Sequence, residues 1–310
     1  MQTNSRIFIA GHNGMVGNSI YRRLISFGYT DIIVKSSKEL DLTNQNDVDN
    51  FFKDNNIEYV FLAAAKVGGI HANNTYRADF IYRNLMIECN VIHSSYKYKV
   101  KKLLFLGSSC IYPKECKIPI KEEYLLTGKL EYTNQPYAIA KIAGIELCDS
   151  YKHQYGCNFI SLMPTNLYGP NDNYDLNNSH VLPGLLRKFI EATKNKAENV
   201  VVWGTGEPLR EFLYVDDLAD ACLYFMNNEI THEENYINIG CGKDITIKDL
   251  AYLIKDITGY KGEIIFDTTK PNGTFRKLLD VGLAKSLGWE YKVSLEEGIK
   301  RTYELVKNNF

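Results

Sequence analysis

The sequence predicts an α/β fold, a doubly wound parallel sheet with helices on both faces and a smaller C-terminal lobe. Three observations predict it. Short apolar strands alternate with amphipathic helices from Arg6 to Met163, the rhythm of a parallel sheet covered on both sides. Three glycines, Gly11, Gly14 and Gly17, sit between the first strand and the first helix. After Pro164 the rhythm breaks into a stretch, 165–180, rich in Asn, Asp, Tyr and Gly, which reads as loops.

The elements follow in order. Residues 6–10 form a first strand, and the helix after the glycines turns Ile20, Leu24 and Phe27 to one side. Residues 32–34 form a second strand, and Thr43 is placed to cap a helix running to about Asp54. A third strand spans 59–65, a long helix 76–96, a fourth strand 102–107, a helix 137–154 and a fifth strand 158–163. Beyond the loops come a helix after His180, a strand at 200–203 and a segment from Gly262 onward, all in the smaller lobe. The chain is expected to return to the large domain near 214–227 and 236–239. The two domains are then interleaved, with 1–164 and 214–240 against 165–213 and 241–310.

Bulk properties narrow the function. A chain of 310 residues can bury a large core. Net charge is −1 and no polybasic run occurs, which argues against nucleic acid as a partner. No apolar run reaches membrane-spanning length, and the chain enters a strand almost at once, with no signal peptide. Seven cysteines are scattered without a Cys-x-x-Cys pair. That fits reduced thiols in a cytoplasm, and neither a disulfide framework nor a metal site.

The glycine turn is a dinucleotide site of the Rossmann type. Glycines there permit a tight turn, close approach to a pyrophosphate and close helix–sheet packing, while the helix N-terminus faces the phosphate charge. The end of the second strand selects the cofactor. An acid there would bind a ribose 2′-hydroxyl, but this chain has Lys35-Ser36-Ser37-Lys38. Cations and hydroxyls favour the 2′-phosphate of NADP(H). Asp41 reads either as an adenine contact or as the start of the turn before the next helix.

The chemistry lies further along. An apolar strand ends in Gly107-Ser108-Ser109-Cys110, and Tyr137 and Lys141 stand one helical turn apart downstream. Tyr-x-x-x-Lys alone is weak. With 22 tyrosines among 310 residues and lysine commoner still, chance supplies about two such pairs, and Tyr98/Lys102 and Tyr303/Lys307 also match. Only Tyr137 follows a Ser-Ser strand end and opens an amphipathic helix. The set suits hydride and proton chemistry at a carbonyl: Ser108 holds the oxygen, Tyr137 protonates it, and Lys141 lowers the tyrosine pKa. If the segment stays extended, Ser108 and Cys110 face the same side, so the thiol offers a second reaction.

These motifs carry a resemblance over nearly the whole chain. The strings A-G-H-N-G-M-V-G (10–17), A-A-A-K-V-G-G-I (63–70), G-S-S-C-I-Y-P-K (107–114) and P-Y-A-I-A-K-I-A-G (136–144) are similar to those of the extended short-chain dehydrogenase/reductases. With M-P-T-N-L-Y-G-P (163–170), N-S-H-V-L-P (178–183) and R-E-F-L-Y-V-D-D (210–217), the chain resembles, within them, the GDP-L-fucose synthase family. The resemblance implies that Ser108, Tyr137 and Lys141 carry a reduction. It also implies that Cys110 and His180 act as base and acid while the carbons flanking the ketone are epimerised. It implies a cofactor site of Gly11, Asn13, Gly14, Met15, Val16, Gly17, Lys35, Ser36, Lys38, Asp41, Leu42, Leu106, Lys141, Pro164, Asn166, Leu167 and His180. For the sugar nucleotide it implies Ser108, Ser109, Cys110, Asn166, Lys188, Trp203, Arg210 and Asn272. The implied substrate is a GDP-linked 4-keto-6-deoxy sugar, and the implied assembly a homodimer through a four-helix bundle. Ile81, Leu85, Ile92, Ile139, Ile142 and Ile145 are expected to form its exposed apolar patch.

Departures from the family pattern are local. Asn13 stands where the family has an Arg near the 2′-phosphate, Lys35 where it has an Arg, and Asn272 and Phe275 where it has Asp and Pro. A reductase alone, acting on a related sugar such as a heptose after a separate epimerase, is therefore the alternative. A nucleotide-sugar dehydratase would place Asp and Glu where Ser109 and Cys110 stand. A dinucleotide sensor would lack the Tyr137/Lys141 pair. Trp203 reads equally as core or as a ligand contact, and Arg210 as a pyrophosphate grip or a structural ion-pair member. Cys89, Cys116, Cys148, Cys157, Cys222 and Cys241 read as structural.

Overall fold

A computed structural model describes residues 1–176, 178–230, 236–270 and 272–310, leaving aside the side chains of Ile70 and His71. The elements run β1 (Ile7–Ala10), α1 (Met15–Ser26), β2 (Ile32–Lys35), α2 (Gln45–Asn55), β3 (Tyr59–Leu62), α3 (Ile70–Thr75), α4 (Arg77–Lys97), β4 (Lys102–Leu106), α5 (Gln135–Tyr155) and β5 (Phe159–Pro164). They continue with β6 (Asn166–Tyr168), α6 (Val181–Asn195), β7 (Asn199–Trp203), β8 (Leu209–Tyr214), α7 (Val215–Asn227), β9 (Tyr236–Ile239), β10 (Asp244–Thr246), α8 (Ile247–Thr258), β11 (Glu263–Asp267), β12 (Arg276–Lys277), α9 (Gly282–Ser286) and α10 (Leu295–Val306).

The main sheet has the order β2-β1-β3-β4-β5-β9, and every pairing in it is parallel. Its central strands are buried on both faces, which is why β1 and, after Lys102, β4 read as apolar runs. On one face, Val48 and Phe52 of α2, Val91 and Ile92 of α4 and Ile142 and Ile145 of α5 pack in one core with Phe8 and Phe105. On the other, Ile20 and Leu24 of α1 meet Leu218, Cys222 and Phe225 of α7. A third core joins α6, β7, α8 and α10. There β8 pairs with β6, β10 and β12, and β7 with β11. The strand order reverses between β1 and β3, so a crevice opens outside their carboxyl ends, where open α/β sheets bind ligands.

Several local expectations change. Phe27 lies at the C-cap of α1, 55% exposed, because the helix stops before Gly28 turns to φ +80°. Its ring lies beneath the Arg23 guanidinium, 4.5 Å away. Asn44, and not Thr43, caps α2: its side chain accepts from the N–H groups of Asn46 and Asp47. Thr43 instead donates its N–H and hydroxyl to Asp41, so Asp41 holds the turn. Ile92, Ile142 and Ile145 face the chain's own core and are not part of an exposed patch. Ile139 is exposed as expected, and Tyr82 and Tyr155 join it on the exposed faces of α4 and α5.

Candidate active site

The cofactor cradle is built by close backbone approach. Gly11, at φ +92°, lies so near β3's end that a Cβ would come within 2.6 Å of the Ala64 nitrogen. Gly14 is the N-cap of α1 without a side-chain cap, and Met15 and Val16 form its first turn. Its first N–H groups are therefore free for an anion. Asn13 is exposed above them, and Gly17 packs the helix onto the turn.

At the end of β2 the phosphate donors are already engaged. Glu39 accepts from the Ser36 N–H at 2.8 Å and from its hydroxyl at 2.6 Å, and the Lys35 ammonium lies 3.8 Å away. These hydrogen bonds hold the Glu39 carboxyl below its usual pKa. Glu39 thus occupies the anion position of the loop, a role the sequence does not announce. Lys35 and Lys38 are exposed, and Leu42 packs against the core beside the turn.

The second group forms at the end of β4. The segment after Gly107 does not stay extended. Ser108 accepts the Cys110 N–H at 3.2 Å and so caps a 3₁₀ turn, Ser109–Ile111. The Tyr137 hydroxyl meets the Ser108 side chain, a contact that favours the phenolate. Desolvation outweighs it, and the neighbouring Cys110 and Glu88 add to the upward push. Tyr137 is nevertheless part-exposed, as a group inside an open cleft is.

Lys141 is held on two sides. Its ammonium donates to the Leu106 carbonyl at 2.9 Å and pairs with Glu88 at 3.1 Å, the two side chains 2% and 1% exposed. It lies 5.9 Å from the Tyr137 ring centre.

His180 is the N-cap residue of α6, open to solvent yet enclosed by the cleft walls. That enclosure, with the Lys277 charge, holds its imidazole below the usual pKa. Lys277, on β12, also reaches Cys110, its ammonium 3.6 Å from the thiol sulfur. Register places Lys277 beside Arg210 on β8, so the strand pair ties the thiol to the substrate lobe. Asn166, in β6, donates to the Glu211 carbonyl, beside Leu167 and after Pro164 at the end of β5.

A third group lies in the smaller lobe. Trp203 is 57% exposed at the end of β7, so it is no core residue. The ammonium groups of Lys188 and Lys270 stand 5.4 and 5.6 Å from its ring centre. Lys188 also donates to the Val201 carbonyl. Among the described residues Arg210 pairs with no carboxylate; its guanidinium turns to the Leu209 carbonyl and burial lowers its pKa. Asn272 accepts from the Thr205 N–H and hydroxyl, at 2.8 and 3.2 Å, directly over Gly204. Its oxygen does there what an Asp oxygen would do. Pro271, in the same stretch, lies outside the described residues.

The sequence reading missed Glu39, Glu88, Lys270 and Lys277. For Glu88 a signal existed. It interrupts the buried stripe Phe80, Asn84, Val91 and Ile92 of α4, where an acid needs a partner. Lys277 left none, because its relation to Cys110 is created by strand pairing across a separation of 167 residues.

Comparison with known proteins agrees with this geometry. The pattern of the NAD dependent epimerase/dehydratase family matches residues 7–240. GDP-L-fucose synthase 1 of Arabidopsis thaliana is 57% identical over 306 residues, covering 99% of this chain and 94% of the relative. GDP-L-fucose synthase of Escherichia coli K12 is 54% identical over 316 residues, covering 99% and 98%. Among solved structures, a GDP-mannoheptose C4 reductase from Campylobacter jejuni with NADP bound superposes with a TM-score of 0.93 at 45% identity, covering 99% of this chain and all of that one.

Proposed function

The chain belongs to the NAD dependent epimerase/dehydratase family, and on that premise we propose that it works as a GDP-L-fucose synthase: with NADPH it reduces the C4 ketone of a GDP-linked 4-keto-6-deoxy sugar after epimerising C3 and C5. The observation that carries the reduction is the packing of α5, with Tyr137 in its first turn, against the turn that Ser108 caps at the end of β4, with the Lys141 ammonium 5.9 Å from the Tyr137 ring centre.

NADPH suits the cradle, since the tight turn at Gly11, packed against the Ala63–Ala64 backbone, and the uncapped N-terminus of α1 leave backbone N–H groups for a pyrophosphate. When bound, it supplies the hydride. The α1 N-terminus holds its diphosphate, and Lys35, Ser36 and Lys38 hold the 2′-phosphate once Glu39 gives way. Ser108 holds the ketone oxygen and Tyr137 donates its proton to it. Lys141 stabilises the phenolate left behind. Cys110, its sulfur 3.6 Å from the Lys277 ammonium, takes the proton from a carbon beside the ketone. His180 returns a proton from the other side. Trp203, flanked by two lysines, offers a stacking face for the guanine, and Arg210 grips the diphosphate.

Two features favour the narrower reaction, C4 reduction without epimerisation. One is the likeness to a GDP-mannoheptose C4 reductase. The other is the burial and the Lys277 charge that hold the His180 pKa below its usual value, leaving less of the protonated form that could return a proton. Deuterium oxide decides between the two. Without a reducing cofactor, the protein should wash deuterium into C3 or C5 of GDP-4-keto-6-deoxymannose, and Cys110→Ser should lose most of that exchange while still reducing a pre-epimerised sugar. No exchange in a protein that reduces the keto sugar readily leaves the reductase-only reaction.

The assembly belongs to the same proposal. Tyr82, Ile139 and Tyr155 on the outward faces of α4 and α5 suit a four-helix homodimer contact. Sedimentation as a monomer at micromolar concentration would remove it. No helix among the described residues is long and apolar enough to cross a membrane, and the free thiols suit a cytoplasmic enzyme. The cofactor half comprises 1–164 with 214–240, and the sugar half 165–213 with 241–310.

A further inference from the structure

Glu88 is a buried acid for which the reaction so far has no use. Among the described residues, no other ion pair is buried on both sides as Glu88–Lys141 is. Beyond the lysine, neither carboxyl oxygen has a hydrogen-bond partner. The pocket is shaped for it. A Cβ at Gly144, one turn past Lys141, would come within 2.5 Å of the Phe105 ring and 3.0 Å of a Glu88 oxygen. A buried carboxyl kept at this cost beside a reacting group calls for a reason.

The groups that face it are few. Helix α5 brings Lys141, Tyr137 and Cys148. Strand β4 brings the Phe105 ring, 4.6 Å from the Lys141 ammonium, and the Leu106 carbonyl. Its own helix brings Cys89. Of these, Lys141 alone carries a charge that opposes the carboxylate.

We propose that Glu88 is a positioning residue whose carboxyl sets how strongly Lys141 acts on Tyr137, cancelling the lysine's charge when ionised and freeing it when protonated. The proposal rests on the reductase assignment above. It alters no proton count: Tyr137 still gives its proton to the ketone oxygen, and the ammonium still faces the phenolate.

Burial pushes the Glu88 carboxyl up to about 7, so both forms are present near neutrality. The sign follows. As pH rises through about 7, Glu88 ionises, the phenol is pushed higher, and it becomes a poorer proton donor. As pH falls, the unopposed ammonium lowers the cost of the phenolate, and proton delivery quickens.

Single-turnover NADPH oxidation by the full chain, with a pre-epimerised GDP-4-keto sugar at saturation, tests this from about pH 6 to about pH 9. Pre-epimerised substrate keeps Cys110 and His180 out of the measured step. The wild-type rate should fall about threefold or more across that range. Glu88→Gln keeps an oxygen for Lys141 and should give a flat profile. Glu88→Asp keeps a carboxyl and should restore the decline with a shifted midpoint. Should Glu88→Gln fail to fold, the wild-type and Glu88→Asp profiles carry the test. A purely structural Glu88 predicts Glu88→Gln rates scaled equally at every pH, or a wild-type profile with no decline; either overturns the proposal. Absence of reduction with every GDP-4-keto sugar overturns the reductase assignment itself, a different result from a flat profile in an active enzyme.

Discussion

The reducing centre and the sugar-binding lobe are built on opposite plans. At the end of β4 the polar groups are packed and paired: Lys141 with Glu88 and the Leu106 carbonyl, Ser108 with Cys110 and Tyr137. In the smaller lobe the ligand groups stand open, with Trp203 bare between two lysines and Arg210 without a carboxylate among the described residues. The difference teaches how such an enzyme divides its work. Proton transfer needs donors fixed to within a fraction of an ångström, so the centre is preorganised before substrate arrives. Recognition of a nucleotide can be completed by the ligand, whose base and diphosphate provide the missing partners.

Tyr137→Phe strikes hardest at the fixed centre. Removing the transferable proton should lower the reduction rate by roughly 10²–10⁴-fold while cofactor binding stays intact. Single-turnover kinetics with a fluorescence titration of NADPH measures both. A variant keeping more than about a tenth of the rate points to another acid.

Lys141→Met probes the buried pair as a stability element. Taking away the lysine leaves a buried carboxylate alone, at a cost of about 3–5 kcal/mol. The loss depends on pH in a definite sense. The Glu88 carboxyl sits near 7 even beside the lysine. Below that it takes up a proton, so the deficit should shrink as pH falls and be full on the alkaline side. Denaturant melts on either side of neutrality check this, and a pH-independent deficit breaks the contrast between the two regions.

The open sites should respond more gently. Lys35→Asp should shift cofactor preference towards NADH by about tenfold, since it removes one cation from a loop where Glu39 already competes for Ser36. Equal kcat/KM for NADPH and NADH in the wild type would show that Glu39 and Asn13 have cancelled the discrimination. Trp203→Ala should raise KM by roughly fivefold through lost base stacking and leave kcat nearly unchanged. A large fall in kcat would mean that the lobe, too, is part of the fixed machinery.

Much of this was legible in the chain, for reasons that are local. The run Ile7–Ala10 is apolar at every position because both faces of its strand are covered, and the glycines after it mark a turn no side chain fits. Tyr137 and Lys141 share a helix face by their spacing alone, and Ser108 ends the neighbouring strand. What the chain could not reveal were relations made by distant segments meeting. The thiol of Cys110 finds its cation on β12, far along the sequence. Glu39 takes the place read as a phosphate site, because a turn brings its carboxyl back onto the Ser36 N–H. Ile142 and Ile145 turn inward and not to a partner, since α5 packs on the sheet beside α4. Lys141 likewise finds its partner in Glu88, set beside it by the packing of two helices and the space left at Gly144. Spacing determines which side chains share a face; only the packed structure decides which charges share a pocket, because electrostatic coupling follows distance in space and burial from water.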